Sequence, residues 1–429
     1  MIFTDRIFLA HYSLEALNAS VTAGTLAWAI MGGFGMITAM SEVFVAQYNG
    51  AKYYDKLGTP VWQMIWFTLF SLLLFIPLGV WGSPLLFDNG LEEVYFRWLM
   101  FFGPSYALLT SFAGFFIGRG KTAVMIWLAV IANVVNIGLD WVLIFGIEGF
   151  IPEFGIKGAA IATCTGYFLE AGCLAVLFFR KENRDNFGTG NWKLNWQEMG
   201  KCLRVGIPQG IFCCLEIVGW WIFFWMMTSL STKHITISSI CQSFTILFSF
   251  FYDGLSRGSA AVAGNLIGSK KYELIGKVLK SGTYLLLFFS LAISPFLVID
   301  SQDTVQLLFF EHFDSIQASE LQSLKVCMIF AFIYMFFEGF RWILSGILVA
   351  AGDTLFLLIG GSLSIWIFLL LPLYLIVVRH SLSIELAWLI TAIYSALLLS
   401  FYWVRFKRGA WKEIEFTSPE ESSVPLDEL

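Results

Sequence analysis

Long apolar runs separated by short polar breaks fill this chain from end to end. A helix needs about 20 apolar residues to cross a ~30 Å hydrocarbon core. Eleven runs reach that length: 16–48, 59–87, 94–118, 122–146, 157–179, 203–228, 235–267, 275–299, 321–350, 355–378 and 384–404. Ahead of them, Met1 to Ala10 is apolar apart from Asp5 and Arg6 and covers half a span, so it reads as the outer half of a first helix whose beginning is absent. The pattern predicts an all-α membrane protein of about twelve transmembrane helices, the first one truncated. No cleaved signal peptide is evident at its start.

Two polar stretches interrupt the pattern, and neither has room for a soluble catalytic or nucleotide-binding domain. One runs from Arg180 to Lys201, where Trp192 and Trp196 alternate with Lys193, Gln197 and Lys201 in the manner of an amphipathic stretch at a membrane surface. The other is the tail after Arg405, rich in Glu413, Glu415, Glu420, Glu421, Asp427 and Glu428, and it reads as disordered.

Composition sharpens the class. Charged residues make up 13% of the chain, about half the usual share of a soluble domain, and mean hydropathy is +0.75, so an ordinary water-soluble enzyme is excluded. The net charge of -5 is small and no dense basic block exists, which argues against nucleic acid as a partner. The seven cysteines (Cys164, Cys173, Cys202, Cys213, Cys214, Cys241 and Cys327) lie in or beside apolar runs without zinc-type spacing and read as small buried hydrophobes.

Most of the 26 Lys and Arg residues flank one set of span boundaries, among them Lys52, Lys56, Arg119, Lys121, Arg180, Lys181, Lys270, Lys271, Arg405 and Lys407. The opposite boundaries carry only Arg97, Lys157, Lys233, Lys325 and Arg379. The basic side faces the cytoplasm, which puts both termini of the full-length form inside. His11, His234, His312 and His380 then fall in four separate outer loops, an arrangement that disfavours a metal cluster.

The chain repeats itself. A shift of 218 lays residues 41–58 on 259–276 and matches Ser41 with Ser259, Gly50 with Gly268, Lys52 with Lys270, Tyr54 with Tyr272 and Gly58 with Gly276. A shift of 232 matches Gly114 with Gly346, Gly120 with Gly352 and Thr122 with Thr354. Counting the partial first helix, each half holds six spans and enters from the same side, so the repeat is parallel, with its pseudo-two-fold axis along the membrane normal. The expected organisation is an N-lobe over 1–197, a C-lobe over 198–406 and a cytoplasmic tail over 407–429. Two such lobes facing one cavity suit alternating access.

An ionisable group at the bilayer centre costs about 2.5–3.5 kcal/mol even on the gentlest scale, so each needs a reason. Glu216 and Glu338 sit near the middle of two C-lobe spans. In the N-lobe, Asp5, Asp140 and the hydroxyl of Thr163 lie a few residues inside the outer ends of their helices, with Asn136 one turn from Asp140 on the same face. These form two acidic oxygen sites, one per lobe, suited to a proton or a small hard cation such as sodium. The structural alternative is local pairing: Arg341 stands three residues from Glu338, whereas Glu216 has no basic residue within seven positions. Asp253 and Arg257 have the spacing of a helical ion pair, and Glu42 with Arg257, at equivalent cytoplasmic ends of the two lobes, is a possible gate pair. Glu170 has no argued role. Gly120-Lys121-Thr122 mimics the end of a phosphate-binding loop, but Phe115 stands where that loop needs glycine and a membrane span precedes it, so ATP does not enter through this chain.

Several stretches resemble the MATE (multidrug and toxic compound extrusion) transporters. Residues 338–354, Glu-Gly-Phe-Arg-Trp-Ile-Leu-Ser-Gly-Ile-Leu-Val-Ala-Ala-Gly-Asp-Thr, are similar to that family's tenth helix, where an acid is followed fifteen residues later by the Asp of a Gly-x-x-Asp-Thr-like turn. Residues 155–163 resemble the start of its helix six, Asn136 to Gly146 its helix five, and Asp5 to Leu9 the end of helix one. The resemblance implies export of organic, often cationic and aromatic compounds, driven by inward movement of sodium or protons, by a monomer in the plasma membrane (the inner membrane in a bacterium) that needs no other cofactor. Carried over by position, Glu216 and Glu338 match the C-lobe cation site, the second being Glu where many relatives have Asp. Asp5, Asn136, Asp140 and Thr163 match the N-lobe site. The missing first half of helix one is the departure from the pattern, and it would leave Asp5 poorly anchored.

The expected mechanism is competition for buried carboxylates, which reach neutrality by taking a proton, a sodium ion or a cationic compound. Phe34, Trp220, Trp221 and Phe224 are candidate substrate contacts through stacking and cation–π attraction, worth ~0.5–2 kcal/mol each; ordinary packing or lipid contact is the competing account. A lipid-linked oligosaccharide flippase would need a cationic cavity, and the intramembrane charge here is mainly acidic. A membrane-embedded enzyme would need a nucleophile and base at one depth, which the outer histidines do not supply. An inactive truncated copy is the remaining alternative.

Overall fold

The computed structural model describes residues 2–88, 90–299 and 318–414. A short helix, α1 (Ile2–Tyr12), is followed by eleven helices long and apolar enough to cross a membrane. In the first half these are α2 (Leu14–Gly50), α3 (Tyr54–Leu86), α4 (Leu91–Gly118), α5 (Ala123–Phe145) and α6 (Ile156–Phe178). In the second they are α7 (Trp196–Leu230), α8 (Thr232–Gly268), α9 (Tyr272–Val298), α10 (Leu321–Ala350), α11 (Thr354–Val378) and α12 (Ile384–Arg408). All eleven predicted spans are present. The largest difference in a boundary is at α7, which starts at Trp196 rather than 203 because Asn195 caps it, its side-chain oxygen accepting from the N–H groups of Gln197 and Glu198.

The polar stretch before α7 lies along α3. Indole donors of Trp62 and Trp66 reach the carbonyls of Thr189 and Trp192 at 2.8 and 2.9 Å, and Gln63 donates to Lys193 O and accepts from Asn195 N–H. Trp192 and Trp196 stay largely exposed, as an amphipathic surface segment requires. The start of the tail folds back: Gly409, at φ 73°, ends α12, and Trp411 is buried against Phe406 and Tyr272. The acidic residues from Glu415 onward lie outside the described residues, as does His312. His11, His234 and His380 belong to separate segments, and among the described residues no group of His, Cys, Asp and Glu could hold a metal.

Buried apolar side chains form two clusters. One is built from the first half around Phe75, Phe96, Phe115 and Phe178. The other is built from the second half around Phe223, Ile343, Trp388 and Tyr402, but Met40, Val43, Phe44 and Met64 from the first half join it. The C-terminal part of α2 and the N-terminal part of α3 are therefore shared between the two cores.

The internal repeat is written into the backbone. Lys52 and Lys270, matched by the shift of 218, both adopt positive φ (64° and 58°) after α2 and α8. Gly120 and Gly352, matched by the shift of 232, do the same at 71° and 76°. Each such turn closes with a wide backbone hydrogen bond onto its helix: Tyr53 to Tyr48, Lys271 to Leu266, Lys121 to Phe116 and Asp353 to Leu348. Gly120-Lys121-Thr122 is thus the turn between α4 and α5. The same symmetry governs the crossing of α2 and α8. A Cβ on Gly50 would meet Asn265 O at 2.0 Å and one on Gly268 would meet Gln47 O at 2.0 Å, so only glycine lets the two helices approach this closely.

Candidate cation-binding site

In α5 only Ala132, Asn136, Asp140 and Ile144 are buried. Spaced four apart, they form one stripe, and the rest of the helix, with Trp127, Val134 and Trp141, faces outward. The two middle members of that stripe are polar and fully buried. α6 comes close enough to meet them because Gly158 lies on the α5 backbone, where a Cβ would stand 2.4 Å from Leu143 O. That contact brings in Thr163, whose hydroxyl donates to Asp5 Oδ2.

Asp5 is buried beside Asn136 and Asp140. Its other oxygen, both oxygens of Asp140 and both polar atoms of Asn136 are buried without a hydrogen-bond partner. Nor does a lysine or arginine pair with either carboxylate among the described residues. Burying unpaired polar atoms is costly and burying unpaired charge more so, which makes this cluster a candidate site for a proton or a small cation held by oxygens. α1 is well anchored, contrary to the expectation drawn from its length. Tyr12 donates to Glu153 Oε1 at 2.5 Å, Phe8 and Tyr12 both pack edge-on against Phe145 at 6.2 Å, and Leu9 is completely buried.

In the C-lobe the two expected carboxylates do meet, but around a guanidinium. Arg341 donates from Nε to both oxygens of Glu338 (3.0 and 2.9 Å) and from Nη2 to Glu338 Oε2 (2.6 Å) and Glu216 Oε1 (3.3 Å). Trp342 Nε1 adds a fourth bond to Glu338 at 3.2 Å. The absence of a basic residue near Glu216 in sequence is thus corrected in space: its partner comes from another helix, 125 positions on. With both carboxylates ionised, the two acids and the one guanidinium sum to a single negative charge.

The family model for MatE matches residues 1–142 and 208–375. The chain belongs to the MATE family. As a MATE protein it is a multi-pass membrane transporter. It is 24% identical over 396 residues to a probable multidrug resistance protein NorM of Thermotoga maritima, covering 90% of this chain and 83% of that one. Its fold superposes on the eukaryotic MATE transporter AtDTX14 with a TM-score of 0.77 at 18% identity, covering 96% of this chain and 92% of the other. A MOP superfamily transporter from Pyrococcus furiosus, described as having a binding pocket of reverse polarity that suggests a different function, superposes with a TM-score of 0.79 at 18% identity and the same coverage.

The remaining predicted positions of this MATE protein are distributed as follows. Arg257 bonds Asp253 at 2.9 Å and also stands 3.9 Å from Glu42 across the α2–α8 crossing, so the helical pair and the inter-lobe pair coexist. The four aromatic residues do not converge on one site. Phe34 stacks on Phe67 and packs edge-on against Phe75 in the first-half core, whereas Trp220 and Phe224 pack with Phe223 in the second. Trp221 lies on the exposed face of α7 with Ile207, Ile211, Val218 and Trp225. Two features escaped sequence reasoning. The reach of Arg341 to Glu216 had no local signal. Glu170, buried two turns below Thr163 on the same face of α6, had one, since seven residues make about two turns.

Proposed function

We propose that this MATE protein is a secondary active multidrug exporter, carrying organic, often cationic and aromatic compounds outward in exchange for sodium or protons. It works as a monomer in the plasma membrane with both termini inside, by alternating access between two lobes. The observation that carries the proposal is the N-lobe cluster of Asp5, Asn136 and Asp140, which is buried and has five polar atoms without partners. A site that is short of positive charge and sealed from bulk water takes up a cation from one side and releases it when the lobes rearrange. The curated relatives named as multidrug resistance proteins support the substrate class. The test is uptake of a fluorescent organic cation into everted vesicles under an imposed sodium or proton gradient. Gradient-driven uptake that disappears in Asp140→Asn supports the proposal; gradient-independent behaviour in the unmodified protein rejects it.

A further inference from the structure

The C-lobe cluster differs from its N-lobe counterpart in kind. Its positive charge is already present, tethered, and buried to 2% exposure. Arg341 is held unequally by its two partners. Glu338 takes three of its hydrogen bonds and a fourth from Trp342, whereas Glu216 takes one, at 3.3 Å. Glu338 anchors the guanidinium and Glu216 is the carboxylate that can let go.

Glu216 is also the accessible member, with its side chain 26% exposed against 6% for Glu338. That exposure is not toward lipid. The outward residues Ile207, Ile211, Val218, Trp221 and Trp225 form one stripe of α7, and at 100° per residue Glu216 stands about half a turn away, on the side of buried Phe212, Phe223 and Met227. It opens to the interior of the molecule. On the other side of Arg341 the guanidinium lies 5.6 Å from the fully buried ring of Tyr402. One turn past Glu216 on α7 is Trp220, and one turn before Glu338 on α10 is Tyr334. These helices run antiparallel, so both steps go the same way, and the two rings meet edge-on at 5.6 Å about one turn along from the carboxylates.

Resting on the exporter reading, we infer that Arg341 is a resident cation that keeps the small coupling ion out of the C-lobe and leaves Glu216 to pair with an organic monocation. A bare sodium ion needs a shell of oxygens, and the neighbouring guanidinium repels it. A large delocalised cation is cheap to dehydrate, can replace the single Arg341 bond at Glu216, and finds aromatic faces at Trp220 and Tyr334.

The experiment is equilibrium binding of tetraphenylphosphonium to the purified full chain in detergent. Glu216→Gln is expected to weaken binding at least tenfold. Glu338→Gln/Arg341→Gln, which removes a positive and a negative charge together and so spares the fold, is expected to tighten binding severalfold by freeing Glu216. Wild-type affinity in either variant overturns the inference, as does the absence of binding by the unmodified chain. Coupling-ion stoichiometry, from radioactive sodium binding and proton release, is the second readout: Asp140→Asn is expected to abolish it, and retention of half would place a second ion in the C-lobe and overturn the inference. Failure of gradient-driven uptake with the binding results intact rejects the exporter reading alone.

Discussion

Gln47 on α2 and Asn265 on α8 are the same residue position in the two halves, and each donates its side-chain amide to the carbonyl that ends the fourth helix of the opposite half. Gln47 Nε2 reaches Ala350 O at 2.7 Å and Asn265 Nδ2 reaches Gly118 O at 2.8 Å. Those two carbonyls are themselves matched by the repeat shift of 232. With the glycine contacts at Gly50 and Gly268 and the Asn49–Asn265 bond at 2.6 Å, they form a symmetric clasp that holds these ends of the two halves together.

If the two halves alternate as proposed, separation at this end must break the clasp. Gln47→Ala with Asn265→Ala strands two carbonyls, each worth about 1–3 kcal/mol when buried and unpaired. The double variant is expected to favour the inward-open arrangement. A cysteine placed at Ala46 in a cysteine-free background should then react with a cytoplasmic maleimide several-fold faster than in the parent; equal rates would show that the clasp does not hold the lobes.

Gly158 is expected to tolerate no side chain. In Gly158→Val the Cβ would come within 2.4 Å of Leu143 O, so α5 and α6 must separate. Overpacking of this kind costs about 1–3 kcal/mol. Thermal unfolding in detergent should show the loss, and Thr163 should no longer reach Asp5, lowering the apparent affinity for the coupling ion.

Asp140→Asn is expected to separate function from stability. It removes a carboxylate whose two oxygens have no partner, so it should leave the unfolding temperature unchanged or raise it while ending ion-driven transport. A variant that fails to accumulate in the membrane would contradict this account of the site.

Arg341→Ala should behave in the opposite way. Taking the cation from between the buried Glu338 and the part-exposed Glu216 costs about 3–5 kcal/mol, and the loss should be largely recovered when Glu338 is also made Gln. Full stability of the single variant would mean that the cluster is open to water from both sides.

Trp62, Gln63 and Trp66 show where one-dimensional reading stops. Their positions placed them in a span, yet their polar atoms are spent on the carbonyls of Thr189, Lys193 and Trp192 and on the N–H of Asn195, pinning the linker to α3. The candidate aromatic contacts were likewise divided by the fold. Trp221 and Trp220 are neighbours in sequence, but one faces outward and the other packs on Tyr334, a division set by which face of α7 turns inward.

Number, length and order of the spans, the two-fold repeat and most of the buried charges were legible along the chain, because twenty apolar residues in a row and a carboxylate among them are conspicuous in one dimension; Glu93 and Asp353, buried near helix ends, carried no such signal. The partners of those charges were decided in three. Asp5 and Asp140 are 135 residues apart and share a site because α1 docks on α5, and Glu216 pairs with Arg341 because the long guanidinium side chain reaches from α10 to the facing side of α7. Electrostatic neutralisation depends on distances of a few ångströms between helices, and helix packing, not local spacing, sets those distances.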